Sequence, residues 1–442
     1  MVRYQPPKDW QQWVDWLAAG LHGRNRWRLS LILMGIVFAR GRRTVTSWLR
    51  AVGITDDFAN YYYFLQPLGR KASLIAQRLL ILLFARLDLG NRVVFAVDDS
   101  PTKRYGPHVQ GAGIHHNPTP GPADHKFLYG HIWVTISLVV RHPLWHTIGL
   151  PLVGLLYVRA KDIAKIPARY HWEFKTKLQL ATEQILMFAG MLQAGGKAVW
   201  AVADGAYAKA PFLKPLRAAA VVVVSRLRKD AQLWDVPKPP KRRGPGQPRK
   251  YGTKRIHLRR RAAHPLRWET IECFVYGRLV TKTIKAFLAT YRPAGGMIRV
   301  VIVKEPEGCE YFFCTDPDAT PREIVEAFAD RSSIEQDFHD VKEVWGAGQQ
   351  QVRNIWTNIA TFNLNLWAHT LLECWAWYKP VEEIRDRCDS PWDDPDRRPS
   401  HADRRKAFRR ETLQNEYSSL ATAHRQSSRI RALFRLLLQL AA

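Results

Sequence analysis

The sequence has few cysteines, few acidic residues and no long uninterrupted apolar segment. Its five cysteines are odd in number and show no metal-ligand spacing, which argues against a disulfide framework and favours a reducing compartment. The first ten residues lack the apolar centre of a signal peptide. The longest apolar stretch, residues 135–157, is too broken to span a membrane because it contains Arg141, His142, Pro143 and His146. We therefore expect a soluble cytoplasmic protein.

Acidic residues are outnumbered by basic ones, 39 to 67, so that the formal net charge is +28. An enzyme acting on small molecules has no need of such an imbalance, whereas a polyanionic partner explains it directly. Nucleic acid is the commonest polyanion, and an anionic membrane surface is the alternative. The sequence offers no long amphipathic basic helix before residue 397, which weakens the membrane alternative. The composition thus predicts a nucleic-acid partner.

The N-terminal region is expected to be helical. Within it, two short helices at residues 44–52 and 58–65 are joined by a turn at Gly53, with Thr55 or Asp56 as the second N-cap. The neighbouring cations are Arg42, Arg43 and Arg50. This pattern is typical of a helix-turn-helix, and a helical hairpin without DNA contacts is the alternative.

Strands and helices alternate from residue 91 onward. Apolar runs predict strands at residues 93–97, 131–140, 147–158, 198–203 and 221–224, and helices are expected at 172–193 and 209–218. The first and fourth of these strands end in Asp98 and Asp204. Open α/β sheets place their sites at such strand ends. The pattern predicts an α/β core with two carboxylates near one edge of the sheet.

A strongly basic segment interrupts this pattern. Residues 236–265 contain no acid and are rich in proline, glycine and cations, so they cannot bury a core. Their RRGPGQPRK portion looks like an AT-hook but lacks the arginine between glycine and proline, which weakens a minor-groove assignment. A solvated loop is the alternative to a phosphate-contacting one, and the total charge favours phosphate contacts. The candidate DNA-binding residues in polar loops are Lys103, Arg104, Arg242, Arg243, Arg249 and Lys250.

Four strands are expected next, in a small antiparallel sheet, at residues 268–276, 282–291, 297–304 and 310–315. A long amphipathic helix rich in tryptophan is predicted at residues 355–378. A basic helical region from residue 397 to residue 442 completes the chain.

One helix is expected from Pro321 to Gly346, opened by the proline and closed by the glycine. At 100° per residue, its side chains within about 60° of one face are Phe328, Arg331, Glu335, Phe338 and Lys342. An acid flanked by two cations and two rings indicates an inward carboxylate, with Arg331 and Lys342 placed to hold DNA phosphates. A partly buried helix with one ion pair between Arg331 and Glu335 is the simpler alternative.

Asp98, Asp204 and Glu335 are therefore the candidate catalytic and metal-binding residues. Three carboxylates in one site repel one another and raise each other's pKa. A hard divalent cation removes that conflict, because Mg²⁺ (or Mn²⁺) takes carboxylate and phosphate oxygens together. Two such ions about 4 Å apart would support an in-line phosphoryl transfer. Taken singly, each aspartate is also explained as a turn former or helix cap.

These motifs resemble those of the DDE transposases of bacterial insertion sequences, in the branch related to insertion sequence family four. The resemblance covers roughly residues 90–380. Its first two motifs are VDDS at 97–100 and ADGAY at 203–207. Its most specific motif is a tyrosine, an arginine, a glutamate and a lysine at fixed spacing. The residues at these positions here are Phe328, Arg331, Glu335 and Lys342. Phenylalanine replaces the tyrosine, and Ser100 replaces the threonine of the first motif.

The resemblance implies a ribonuclease H-like core with a β-rich insertion between the second aspartate and the glutamate. It also implies cleavage at the ends of a mobile element and joining of those ends to double-stranded target DNA, with a homodimer or higher oligomer on DNA. Asp98 and Asp99 are both possible as the first metal ligand, and Asp98 is preferred as the first residue of the motif.

Two other functions remain open at this level: a ribonuclease H-like nuclease without strand transfer, and a catalytically silent DNA-binding relic of a transposase. The expected division of the chain is the same for all three. Residues 1–90 form a helical DNA-binding region and residues 91–225 the first part of the core. Residues 226–320 form a basic loop with a β-rich insertion, residues 321–380 the second part of the core, and residues 381–442 a basic helical region.

Overall fold

The computed structural model describes residues 4–117, 125–238, 247, 249–388 and 390–420. Its N-terminal part consists of five α-helices: α1 Lys8–Ala18, α2 Arg26–Phe38, α3 Val45–Ala51, α4 Phe58–Arg70 and α5 Ala72–Arg86. The Thr44 hydroxyl accepts a hydrogen bond from the Ser47 amide at 3.1 Å and so caps α3. Gly53, at φ +76°, turns the chain as expected. The second helix is preceded by Asp57, so the predicted N-cap at Thr55 or Asp56 is wrong by one or two positions.

The central part alternates strands with two helices. The strands are β1 Arg92–Lys103, β2 Gly113–His116, β3 Phe127–His142, β4 His146–Tyr157, β5 Ala198–Ala203 and β6 Val222–Arg226. The helices are α6 Lys177–Ala194 and α7 Ala210–Ala218. Helix α6 begins later than residue 172 because Thr176 and Gln179 form a capping box at its start.

The remaining elements complete the sheet and surround it. Six further strands are β7 Leu233–Trp234, β8 Arg255–Ile256, β9 Glu269–Val275, β10 Arg278–Tyr291, β11 Gly296–Glu305 and β12 Gly308–Cys314. The helices are α8 Leu258–Ala263, α9 Pro321–Asp330, α10 Ser333–Glu343, α11 Ile355–Ala376, α12 Val381–Ile384 and α13 His401–Leu420.

The described strands form one mixed sheet, which confirms the predicted mixed α/β class. Its order is β2-β3-β1-β5-β6-β12-β11-β10-β7-β8, with β4 paired to β3 and β9 paired to β10. Strand β1 is parallel to β5, and β5 to β6, while the other pairings are antiparallel. Phe312 lies opposite Arg226, so β12 joins β6 and the expected separate small sheet is continuous with the central one.

Helix α11 lies inside the protein rather than on its surface. All of its residues except Trp356 are buried, and it contacts α2, α4, α5, α13 and β4. The predicted helix and its place in the core are therefore confirmed, but its predicted amphipathic character is wrong, because neighbours cover this helix on nearly every side. No helix in the described part of the chain is long and apolar enough to cross a lipid bilayer.

The basic C-terminal helix is partly an internal support. Arg405 donates hydrogen bonds to the carbonyls of Ile36, Val37 and Ala39 at 3.0, 3.0 and 2.9 Å. Arg409 donates to the Val37 carbonyl at 2.6 Å. These carbonyls end α2, where unpaired acceptors and the helix dipole favour a cation. Two arginines of the expected basic tail are thus buried in the fold, and residues 421–442 lie outside the described part.

Glu326 of α9 fastens this helix to the hairpin of β9 and β10. Its carboxylate accepts hydrogen bonds from the Phe274 amide at 2.8 Å, Arg322 at 2.8 Å and Arg141 at 3.2 Å. Burial alone would raise the pKa of Glu326, but these donors outweigh burial and lower it.

Replacing Glu326 by Gln should reduce the free energy of unfolding by about 2 kcal/mol at neutral pH, because hydrogen bonds to a charged group are lost. The lowered pKa means that the carboxylate stabilises the fold above its unfolded pKa and that this contribution disappears as the pH falls through the folded pKa. Chemical unfolding of both proteins should therefore show a difference at pH 7 that shrinks below about pH 4. A difference in unfolding free energy that persists or grows in acid would contradict the stabilising role of the Glu326 carboxylate.

Candidate active site

Two aspartates lie beside each other on neighbouring parallel strands. Val97 on β1 lies beside Ala203 on β5, and the next residues are Asp98 and Asp204. Asp204 directly follows β5, but β1 continues to Lys103, so the predicted end of that strand at Asp98 is wrong. Neighbouring strands are about 4.8 Å apart. The hydroxyl of Ser225 on β6 donates to the Asp204 carbonyl at 3.1 Å and holds the chain where it leaves the sheet. The structure thus brings together the first two acids that the sequence singled out.

The expected long helix is divided into α9 and α10, with the junction at residues 331–332. The Ser332 and Ser333 hydroxyls donate to the Ala329 and Asp330 carbonyls at 2.8 and 2.9 Å. Serine side chains that bond to the backbone in this way compete with the helical pattern. The uninterrupted helix predicted from the sequence is therefore wrong, and Glu335 lies in the first turn of a new helix.

Arg331, at this junction, connects the helix to the sheet. Its Nη1 lies 2.7 Å from Asp98 Oδ2, and its Nη2 lies 3.0 Å from Glu335 Oε1. The expected ion pair with Glu335 is present, and the same guanidinium also contacts an aspartate 233 positions earlier. Arg331 was predicted to hold DNA phosphates, but here two carboxylates engage it. The Glu335 side chain is 62% exposed and can therefore change its position at little cost.

The environment of Asp98 opposes its negative charge. Burial raises the pKa of Asp98 to about 6, the Arg331 guanidinium and the Asp99 amide lower it in part, and the charges of Asp99 and Asp204 raise it. The expected repulsion is present at Asp98 as a smaller cause than burial, and it comes from Asp99 and Asp204 rather than from Glu335. Such a site favours a bound cation over a bare carboxylate group.

Asp99 faces different partners from Asp98. Its Oδ2 lies 2.6 Å from Lys177 Nζ at the start of α6, and its Oδ1 accepts a hydrogen bond from the Tyr207 hydroxyl at 3.3 Å. Burial raises the pKa of Tyr207, and the charges of Asp99, Asp98 and Asp204 raise it further. Lys177 was missed because nothing in its sequence context distinguishes it, whereas Tyr207 belongs to the ADGAY motif.

The cations proposed for DNA binding lie in different environments. Lys342 is half-buried on α10, and burial lowers its pKa. Arg104 is buried and donates to His131 Nδ1 at 3.2 Å and to the Gly348 and Gln350 carbonyls, each at 2.8 Å. It was predicted to bind DNA, but these contacts occupy its guanidinium inside the fold, which corrects that expectation.

The remaining candidates that the structure describes are exposed at the surface. They are Lys103, the last residue of β1, and Arg249 and Lys250 of the basic segment. Arg242 and Arg243 lie outside the described residues. Lys103, Arg249 and Lys250 are thus accessible to a large polyanion, unlike Arg104.

The donor chemistry of Asp98, Asp204 and Glu335 fits a hard divalent cation, which prefers carboxylate oxygens. In the described ranges, the ligand atoms of these three residues do not all lie within 4.8 Å of one another. The guanidinium of Arg331 lies between Asp98 and Glu335 and neutralises part of their charge. Metal binding at this site would therefore require Arg331 to release at least one carboxylate.

Comparisons with known proteins place the chain in a family. No curated protein matches the sequence. Among solved structures, the cryo-EM structure of the piggyBac transposase synaptic complex with hairpin DNA is similar, at 10% identity and a TM-score of 0.36, with 95% of this chain and 73% of that chain covered. The family model described as DDE superfamily endonuclease matches residues 17–286, more than half of the chain, and ends before Glu335. The protein therefore belongs to the DDE superfamily of endonucleases.

Proposed function

We propose that this protein is a DNA transposase, of the insertion-sequence branch related to family four, that cleaves the ends of its element and joins them to target DNA. The supporting observation is that Asp98 and Asp204 lie on neighbouring parallel strands and that Arg331 links Asp98 to Glu335. This arrangement occurs in a chain of the DDE endonuclease superfamily. We assign these three carboxylates as the catalytic group.

The sheet order supports a ribonuclease H-like core for this transposase. Strands β4, β3 and β1 are antiparallel neighbours, and β1 is followed by β5 and β6 in parallel. The segment between Asp204 and Glu335 contributes β7–β12, as expected for a β-rich insertion. The five regions proposed from the sequence, with boundaries near residues 90, 225, 320 and 380, remain our proposal for its organisation.

Endonucleases of this family typically use divalent metal ions, and Asp98, Asp204 and Glu335 would hold them here. One or two bound Mg²⁺ or Mn²⁺ ions would activate the attacking oxygen of water or a 3′-hydroxyl and stabilise the leaving oxygen of the cut strand. The three carboxylates supply only oxygen ligands, which suits either ion.

Arg331 and Lys177 are the cations that contact the acidic residues of this site. Asp98 and Glu335 would hold the metal, and Arg331, whose planar guanidinium suits a phosphate, would then pair with the scissile phosphate. Lys177 and the Tyr207 hydroxyl engage the two side-chain oxygens of Asp99. This arrangement favours Asp98 over Asp99 as the first ligand.

Double-stranded DNA is the proposed partner, both as element ends and as target. The net charge of +28 supports this partner, and the exposed Lys103, Arg249 and Lys250 are proposed phosphate contacts. Arg242 and Arg243, in the same basic segment, are proposed contacts on sequence grounds alone. Assembly of two element ends would require a dimer or higher oligomer. The five free cysteines support the proposal that the protein works in the reducing bacterial cytoplasm, at the nucleoid.

Replacing Arg249 and Lys250 by Gln should weaken DNA binding to a similar degree for all sequences. Because each phosphate contact contributes about 0.9 to the slope of log affinity against log salt, the double variant should lower that slope by about 2. Binding titrations at several salt concentrations would measure it. The control variant, Lys175→Gln with Lys379→Gln, removes the same charge from residues already paired to Glu183 and Glu411. An equal change in both variants would contradict a specific DNA contact.

The function itself is tested by incubating the full chain with a labelled duplex that carries the element's terminal repeat, in Mg²⁺ and in EDTA. Metal-dependent cutting at the repeat boundary, followed by joining of the 3′ end to a second duplex, is the expected result. Cutting without joining would indicate a nuclease, and salt-sensitive binding without cutting would indicate a DNA-binding relic.

A further inference from the structure

A second cluster of potential metal ligands lies away from the proposed catalytic acids. It consists of Asp340, His369 and His401, from α10, α11 and α13, and we call it the acid–histidine cluster. One ligand atom from each residue lies within 4.8 Å of the other two. Asp340 follows Glu335 by five positions, about 140° around the helix. The same helix thus presents the catalytic glutamate on one side and this cluster on another.

The three side chains are held inside the protein. Asp340 is 9% exposed, His369 is 2% exposed and His401 is 4% exposed. The two imidazole rings stack with centroids 4.0 Å apart, and His369 Nε2 lies 3.9 Å from Asp340 Oδ2. Ligands of a tetrahedral zinc ion, with bonds near 2.05 Å, are about 3.4 Å apart. Coordination of one ion would therefore require these atoms to move closer and the two stacked rings to turn, because each imidazole lone pair lies in the plane of its ring.

The hydrogen bonds of His401 prepare it as a ligand. Trp345 Nε1, which can only donate, lies 2.7 Å from His401 Nε2, so this nitrogen carries a lone pair. His401 Nδ1 lies 2.5 Å from Glu373 Oε1 and donates to it. A carboxylate that accepts from one imidazole nitrogen while the other binds metal is the usual support of a metal-binding histidine. Coordination through Nε2 would displace the Trp345 contact and leave the buried Trp345 Nε1 without this acceptor.

Unsatisfied buried atoms around the cluster also indicate a missing cation. His369 Nδ1, Asp337 Oδ2 and Glu373 Oε2 are buried without a hydrogen-bond partner among the described residues. Asp337 packs so closely on Gly149 that a Cβ at position 149 would lie 2.2 Å from its Oδ2. Buried polar atoms without partners are costly, and a bound ion is one of the ordinary explanations for them.

The charge of the neighbourhood is negative before any proton or ion is added. Asp337, Asp340 and Glu373 contribute three carboxylates, and Arg398 and Arg404, which line the same cleft, contribute two cations, which leaves an excess of one negative charge with neutral histidines. A bound cation would offset this excess. A cleft of about 320 Å³, lined by Asp337, Asp340, His369, Glu373 and Arg404 among others, gives an ion a path to the cluster and room for a water ligand.

We propose that the acid–histidine cluster binds one divalent transition-metal ion of the Zn²⁺ class, which fastens the C-terminal helix to the helix that carries Glu335. Two imidazoles and one carboxylate are the ligand types that such ions prefer, whereas Mg²⁺ prefers an all-oxygen site. The ion has a structural role because α10, α11 and α13 each provide one ligand. This inference does not depend on the proposed transposase activity.

The test is the metal content of the full-length protein. Protein stripped with a chelator is equilibrated with Zn²⁺ in excess Mg²⁺, separated from free metal and measured by elemental analysis. We expect one zinc per chain in the unchanged protein and in the Asp98→Asn/Glu335→Gln variant, which removes catalytic ligands. The His369→Gln/His401→Gln variant should bind zinc at least tenfold more weakly. A His22→Gln/His264→Gln variant, which removes two exposed imidazoles, should bind as the unchanged protein does.

A second measurement does not depend on the folding of a variant. Co²⁺ added to the stripped, unchanged protein should give the visible absorption of a tetrahedral nitrogen–oxygen site, and Zn²⁺ should abolish it and raise the melting temperature. Absence of stoichiometric zinc and of this absorption would overturn the proposal. So would equal zinc binding by the folded His369→Gln/His401→Gln variant, or loss of the zinc in the Asp98→Asn/Glu335→Gln variant.

Discussion

Asp98→Asn is expected to lower metal-dependent DNA cleavage by on the order of 10³-fold, with little change in DNA binding. The amide keeps the shape of the side chain but removes the charge that pairs with Arg331 and would bind a metal. Single-turnover cleavage of a labelled terminal-repeat duplex at saturating protein separates this loss from any effect on affinity. Equal cleavage by the variant and the unchanged protein would refute the assignment of Asp98.

Asp99→Asn is the matched control for this experiment. Asp99 is the neighbouring acid, but Lys177 and Tyr207 occupy its oxygens. Its replacement should therefore reduce cleavage far less than replacement of Asp98. If Asp99→Asn abolished cleavage and Asp98→Asn did not, Asp99 would be the first ligand, and the arrangement of the two acids would have to change when metal binds.

Glu373→Gln is expected to lower the free energy of unfolding by about 3 kcal/mol. The Glu373 carboxylate is 2% exposed and lies 2.6 Å from Arg404 Nη1 and 2.5 Å from His401 Nδ1. Replacement by a neutral amide leaves the buried Arg404 charge without its partner, and such a charge cannot recover its hydration inside the fold. Denaturant unfolding in the presence of a chelator measures the effect without any contribution from bound metal.

Glu310→Gln provides the comparison for Glu373→Gln. Glu310 pairs with Arg226, but both side chains are more than a third exposed, so water screens this ion pair. Its loss should cost less than about 1 kcal/mol. Similar losses in the two variants would show that the Glu373 network contributes no more than an ordinary surface pair.

The strands of the core were accessible to prediction because their apolar runs are short and bounded by turn residues. The strand at 198–203 was located to the residue, the other predicted strands were found with shifted ends, and the short strands β2, β7 and β8 were not predicted. The break between α9 and α10 was missed, since Ser332 and Ser333 continue an acceptable helical pattern and interrupt it only through their hydroxyl contacts. Helix α11 was expected in the core but judged amphipathic, because a sequence does not show how many neighbours will surround a helix.

The candidate site divides in the same way. Asp98, Asp204 and Glu335 were proposed from predicted strand ends and from a spaced motif, although Asp98 lies inside β1 in the structure. Lys177 was not, since its contact with Asp99 joins residues 78 positions apart. Arg104 was taken for a DNA contact because a cation in a polar loop looks the same in sequence whether it faces water or the interior.

The sequence by itself determined the basic character of the protein and the mixed α/β class, and it supplied the proposal of three catalytic carboxylates, because charge, periodicity and motif spacing are local properties of the chain. Only the tertiary structure decided which partner each charge has. It placed Arg331 between two acids, directed Arg405 to the end of α2, and brought His369 and His401 into contact from separate helices. The physical reason is that burial and ion pairing depend on distances between segments far apart in the chain, which the order of residues alone does not express.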